Sequence, residues 1–252
     1  MSSRPRVDLN CDLGEGAPDE ESILDVVTSA NVACGFHAGS PGIMRRIVRA
    51  AGAKGVGVGA HPGLRDPEGF GRREVPLEAG EAFDLVLYQV GALQALAAAE
   101  GEKVRHVKPH GALYHRASRD GEIARAVASA VRAAGRELIL VGPPGSELVK
   151  AGREVGLPSA EEAFADRGYR ADGSLVPRGS PGALIEDPDE AARRAVRIVV
   201  EGRALASDGS ERKIRADTIC VHGDTPGALA IARRVRAALE GAGVEVRRLA
   251  PP

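Results

Sequence analysis

Short apolar runs rich in valine, isoleucine and alanine alternate with longer stretches of helical periodicity along the chain, the signature of βα units laid around a parallel sheet. Strands are expected near Arg6–Asp12, Ala30–Phe36, Val56–Ala60, His106–Pro109, Glu137–Val141, Ala160–Ala165, Thr218–His222 and Val244–Leu249. Helices are expected near Pro41–Ala53, Gly80–Glu100, Gly121–Ala134, Glu147–Gly156, Pro188–Glu201 and Pro226–Glu240. The last of these has legible ends: Asp224 or Thr225 ahead of Pro226 offers an N-cap, and Gly241 and Gly243 offer a stop.

Seven or eight such units in 252 residues fit an irregular (β/α)7–8 barrel of the TIM type better than the alternative, an open doubly wound sheet. No linker, low-complexity tract or break in composition divides the chain, so one domain over residues 1–252 is expected. Two segments, Pro62–Gly80 and Arg167–Asp187, lack periodicity and are rich in glycine, proline and arginine. Loops of that length inside an α/β fold usually cover a functional site.

Lys and Arg number 34 against 35 Asp and Glu, a formal net charge of −1, so no long-range field draws the chain to nucleic acid or an anionic membrane. The three cysteines, Cys11, Cys34 and Cys220, form no CxxC pair. Neither a disulfide scaffold nor a thiolate zinc site is suggested, and a reducing cytoplasmic compartment fits. Met1–Val7 runs into Asp8, Asn10 and Asp12 without an apolar stretch, and no uncharged apolar run is long enough to cross a bilayer, so neither secretion nor membrane spanning is expected.

Most of the expected strands end in a polar cluster. These are Asp8, Asn10, Asp12 and Glu15; Asn31 and His37; His61; Lys108, His110 and His115; Asp166 and Arg167; and His222 and Asp224. In a (β/α) barrel the C-terminal strand ends and the loops after them form the active-site face, so one topological rule brings all six clusters together. A single histidine after a strand is most often a hydrogen-bonded structural residue. The convergence is what points to an enzyme.

Two chemistries fit these residues. Asp12, His61 and His110 on neighbouring strand ends can form a two-histidine, one-carboxylate site for a divalent metal. Alternatively, histidine serves as a metal-free acid/base oriented by a carboxylate, while Lys108 with Arg72, Arg73 or Arg167 holds an anionic substrate. There is no G-x-x-x-x-G-K-[ST], no helix-opening G-x-G-x-x-G and no G-x-S-x-G elbow, so a nucleotide would be bound by another device or another chain.

The same clusters carry a resemblance. VDLNCDLGEG at 7–16, SANVACGFHAG at 29–39, GAHPGLRDPEGFGRRE at 59–74, YQVGALQALA at 88–97, HVKPHGALYH at 106–115, EAFADRGYRADGSLVPR at 162–178 and DTICVHGDTPGA at 217–228 resemble the LamB/YcsF family, the 5-oxoprolinase A subunits, nearly end to end. Ala17-Pro18 replaces an aromatic-containing stretch common in that family, and His115 stands where asparagine is common, so the resemblance does not require His115. The resemblance implies a barrel similar to the polysaccharide-deacetylase superfamily, many of whose members use an Asp/His/His metal site. It also implies ATP-dependent opening of 5-oxoproline (pyroglutamate) to L-glutamate with two partner subunits, B and C, ATP being a co-substrate that a partner could bind.

Opening this lactam needs carbonyl activation, a positioned water and a proton for the leaving nitrogen. For these tasks the rim offers His61 or His110 as base and Asp12 or Asp166 as orienting or acid group. Asn10, Asn31, His37, Arg72, Arg73, Lys108, Arg167, His222 and Asp224 are the expected substrate-binding set. The competing expectations are a metal-dependent amidase or deacetylase working without ATP, and a non-catalytic subunit that only receives an activated intermediate.

Overall fold

Strand β1 (Arg6–Leu13) is buried along all but its first residue, and its side chains divide by parity. Leu9, Cys11 and Leu13 belong to the apolar core, whereas Asp8, Asn10 and Asp12 bond to polar groups on other strands across the barrel interior. The computed structural model describes residues 4–250, so the two ends of the expected 1–252 span lie outside the described residues. β2 (Ser29–Ala33), β3 (Gly57–His61), β4 (Val104–Val107), β5 (Ile139–Gly142), β6 (Ser159–Phe164) and β7 (Thr218–His222) follow, each parallel to its neighbour. β7 pairs with both β6 and β1, which closes the sheet into a seven-stranded parallel barrel.

The helices pack outside it, and their caps are written in the chain. Helix α1 (Pro41–Ala53) starts with Pro41 after Ser40, whose hydroxyl accepts from the Ile43 amide, and buries Met44, Ile47, Val48 and Ala51 as one stripe. Helix α2 (Ala79–Ala99) is long and apolar enough by composition to cross a membrane; here Val86, Val90, Leu93 and Ala97 turn one face inward to the core. Next come α3 (Gly111–Arg119), α4 (Gly121–Ala134) capped by Asp120, α5 (Glu147–Glu154), α6 (Pro188–Val196) capped by Asp187, and α7 (Ala228–Gly241).

Two expectations need correction, one is refined, and one helix lies where none is expected. The strand expected over Val244–Leu249 shrinks to β8 (Glu245–Val246), which pairs with Arg6 and Val7 beyond the ring, because β7 begins to pair only at Asp8. Helix α3 was not anticipated, since Pro109-His110-Gly111 reads as a turn. The helix expected to run to Glu201 passes at Arg197 into one π-helical turn and stops at Gly202, whose φ is +67°. Finally, neither Asp224 nor Thr225 caps α7: Asp224 is bonded to Arg72 and Arg178, Thr225 donates to Asp166, and Gly227 stands at the cap. A short antiparallel hairpin of Arg203–Leu205 with Glu211–Lys213 lies between α6 and β7.

Candidate active site

Inside the barrel, below the strand ends, lies a closed polar network. The Lys108 ammonium is 2.9 Å from Asp12 Oδ1, 2.9 Å from Glu162 Oε1 and 3.1 Å from the Cys220 sulfur. Tyr114 and Asn10 donate to Glu162. Asn31 donates to both Asp12 and Asn10, and His106 Nε2 lies 2.7 Å from Asn31 Oδ1. Burial opposes the Lys108 charge, but Asp12, Cys220 and Glu162 hold its pKa well above the usual lysine value. Burial likewise opposes ionisation of Asp12, and His61 and Lys108 overcome it, keeping that carboxyl well below its usual range. Charges this deep persist only when paired and hydrogen-bonded.

Above this floor four side chains from successive βα turns converge: Glu15 after β1, His37 after β2, His61 ending β3 and His110 after β4. Glu15 Oε1 is 3.0 Å from His37 Nε2, 3.3 Å from His110 Nδ1 and 3.7 Å from His61 Nε2. His61 Nδ1 lies 2.6 Å from the Lys108 carbonyl, and His110 Nε2 2.8 Å from that of Phe70. The His37 and His110 rings stack 3.8 Å apart, and His37 Nδ1 has no partner. Burial, with Asp12 and Asp224 adding to it, raises Glu15 well above the usual carboxyl range. Burial and the neighbouring His61 push His37 down to about 3, and burial, His61 and His37 lower His110. Two glycines let the Pro62–Glu78 segment close over these rings. At Gly71 (φ +65°) a Cβ would lie 2.8 Å from that of His37, and at Gly111 (φ +55°) one would lie 2.5 Å from the Gly71 carbonyl oxygen.

The mouth of the site is basic. Arg72 lies 4.6 Å from the Phe70 ring centroid, over the ring, and donates to Asp224, whose carboxylate also accepts from both terminal nitrogens of Arg178. Beside them His222 Nδ1 is 3.0 Å from Asp166 Oδ1, and its ring stacks on Phe164. Burial opposes the Asp166 charge, yet His222 and the hydroxyl of Thr225 hold its pKa below the ordinary value. The His61 side chain is 1% exposed, against 12% for His222 and 25% for Asp224, so a small molecule meets His222, Asp224 and the arginines first.

Not every expected residue reaches this mouth. Asn10 and Asn31 belong to the floor, and Lys108 already has two carboxylates, so it is not free to hold a substrate anion. Arg73 turns outward to Asp66. Arg167 donates to the Ala183 and Val176 carbonyls and so pins the covering segment that carries Arg178; burial and nearby Arg178 lower it to about 10. Residues not singled out from the sequence include Glu15 as a partner of the histidines, Arg178, and Glu162. A glutamate inside the apolar strand SAEEAF was the available signal for the last.

Two sets of donors lie within 4.8 Å of one another: Glu15, His37, His61 and His110, and Asp12, Cys220 and His222. The second fits a cation poorly, because the Lys108 ammonium already contacts both Asp12 and Cys220, and burial raises the Cys220 thiol pKa. The first is imidazole and carboxylate, suited to borderline divalent metals. Of the expected Asp12, His61 and His110, the two histidines fall in it; the carboxylate beside them without a lysine partner is Glu15.

The LamB/YcsF family model matches residues 7–252. Among solved structures, a lactam utilization protein from Thermus thermophilus is 52% identical over 97% of this chain and 100% of its own, with a TM-score of 0.90. A polysaccharide deacetylase from Bacillus cereus shares the fold at a TM-score of 0.50 and 12% identity, over 98% of this chain and 93% of its own. A putative cellobiose-phosphate cleavage protein from Enterococcus faecalis does so at 0.55 and 12% identity, over 98% of each chain.

Proposed function

The chain belongs to the LamB/YcsF family, and on that footing we propose that it is the A component of a 5-oxoprolinase, opening 5-oxo-L-proline to L-glutamate with ATP and partner subunits B and C. The observation that carries this reading is the 52% identity, over nearly the whole chain, with a protein described as acting in lactam utilization.

The side chains support a division of labour. Arg72 and Arg178, held side by side by Asp224, bind the carboxylate of the lactam through charge-assisted hydrogen bonds. Asp166 accepts the Nδ1 hydrogen of His222, which leaves Nε2 to take a proton from the attacking water and return one to the ring nitrogen as the C–N bond breaks. A lactam is a resonance-stabilised amide, so this needs an activated carbonyl. Transfer of the ATP γ-phosphoryl to the lactam oxygen, releasing ADP, supplies that activation; water attack and C–N cleavage then leave a glutamyl acyl phosphate, which a second water hydrolyses to glutamate and phosphate. A metal ion held by Glu15, His61 and His110 would supply Lewis-acid polarisation. Lys108, Asp12 and Glu162 stiffen the floor.

The test is glutamate release from 5-oxoproline by the chain with its B and C partners, with and without ATP. No glutamate from the complete set sinks the reading. The four-donor cluster supports a second reading, an amidase that needs neither ATP nor partners; glutamate from the isolated chain without ATP would favour it.

A further inference from the structure

We propose that the end of the barrel opposite the mouth binds a small organic phosphate of nucleotide size, in a hollow rimmed by five arginines. Arg6 opens β1, Arg153 stands on α5, Arg215 precedes β7, and Arg247 and Arg248 follow β8. The fold thus gathers them from four places in the chain around one cavity of about 310 Å³. Arg6, Ile139 and Ser159 on its wall begin their strands, so the hollow lies at the N-terminal face of the barrel and the polar mouth at the other. Its floor is apolar. Leu249 packs on Ile139, Val141 and Ala160, and Leu157 and Pro158 continue the wall.

The protein's own carboxylates do not satisfy this rim. Arg215 has Asp217 at 3.2 Å and Arg153 has Glu161 at 3.4 Å, and main-chain amides hold both acids in place: Asp217 accepts from the Glu161 N–H, and Glu161 from that of Gly145. Arg247 comes no nearer than 3.8 Å to Glu245, and among the described residues no carboxylate lies within 4.0 Å of Arg6 or Arg248. Asp8, the other acid on the wall, takes the hydroxyl hydrogens of Thr28, Ser29 and Thr218 and is 2% exposed. Three guanidiniums around one hollow are left without an acid at hydrogen-bond distance, and an anion from solution relieves their mutual repulsion. Guanidinium forks match phosphate oxygens and stack on flat rings. Small-molecule pockets begin at about 300 Å³, so a cavity of this size with an apolar wall takes more than bare phosphate. The arginines of the mouth differ, since Arg72 and Arg178 already share Asp224.

Asp8 on this wall and Asp12 beneath the active site stand four residues apart on β1, about 13 Å along a strand, so the hollow is separate from the lactam site. Its occupancy is measured without lactam, partners or turnover, and stands or falls apart from the function proposed above. The full chain is titrated by calorimetry with ADP and with inorganic phosphate at fixed ionic strength. We expect one ADP per chain, a higher Tm in its presence, weaker binding as salt rises, and phosphate bound at least about 10-fold more weakly than ADP. Arg6→Gln and Arg248→Gln should each weaken ADP binding about 10-fold or more, while Arg178→Ala at the mouth should leave it unchanged. Arg6 and Arg248 are both exposed, so their replacement leaves the core intact. Absence of saturable ADP binding overturns the proposal. So does unaltered binding in both Arg6→Gln and Arg248→Gln, and a loss confined to Arg178→Ala would put the nucleotide at the mouth instead. Inorganic phosphate bound as tightly as ADP overturns it too, since the apolar wall would then contribute nothing.

Discussion

The Lys108 ammonium and the Asp12 carboxylate meet at 2.9 Å inside the barrel, with both side chains all but buried. Glu162 approaches the same ammonium from the far side, so one cation neutralises two carboxylates. Lys108→Met leaves both acids buried without a partner and should cost about 3–5 kcal/mol of stability. Urea unfolding measures this, and adding Glu162→Gln should return part of the loss. A single variant within about 1 kcal/mol of the parent would mean that the floor is not held by charge.

The barrel was legible because its strands alternate with helices and end in polar turns, and the C-terminal-face rule then collected His37, His61, His110, Asp166 and His222 without knowledge of any contact. What was not legible depended on partners distant in the chain. Lys108 reads as a substrate anchor until Glu162 appears beside it, and Asp224 reads as a helix cap until Arg72 and Arg178 claim its carboxylate. Arg178 lies in an irregular segment, Arg167–Asp187, where no periodicity says which way a side chain faces. Glu15 follows Asp12 by only three residues, and only the fold shows which of the two carboxylates is taken by lysine.

The orientation of His222 depends on Asp166, which accepts from its Nδ1, its backbone amide and the Thr225 hydroxyl. Asp166→Asn places an amide N–H against Nδ1 and favours the tautomer with hydrogen on Nε2, which removes the base. We expect kcat for lactam opening to fall about 10²–10⁴-fold with KM within a few-fold of the parent. Steady-state kinetics at saturating ATP decides it; an unchanged kcat would exclude His222 as the base.

Arg178 reaches the mouth only through the covering segment that Arg167 pins, and it shares Asp224 with Arg72. Arg178→Ala should raise KM for 5-oxoproline about 10–100-fold, the loss of one charge-assisted contact. For 2-pyrrolidinone, the same ring without the carboxylate, the variant and the parent should behave alike. Equal losses on both lactams would remove Arg178 from carboxylate recognition.

Acid sensitivity should come in part from His106. Burial, then Lys108 and His61, push its pKa down to about 3, and Gly59 opposite leaves space where a Cβ would sit 2.0 Å from His106 Nε2. The unfolded chain titrates this histidine near about 6.5. Between those two values the unfolded state takes up a proton that the native state refuses. Stability is therefore complete above about pH 6.5 and declines as pH falls toward 3, by about 2 kcal/mol at pH 5 for one such group. His115, lowered to about 4 chiefly by burial, acts in the same direction, so the contribution of His106 is read by difference. His106→Gln keeps an N–H for Asn31 Oδ1 and cannot titrate. Urea unfolding at about pH 8, 7, 6 and 5 should show the parent losing about 2 kcal/mol more than the variant across that range. Parallel pH profiles would show that the native barrel accepts the proton on His106 as readily as water does.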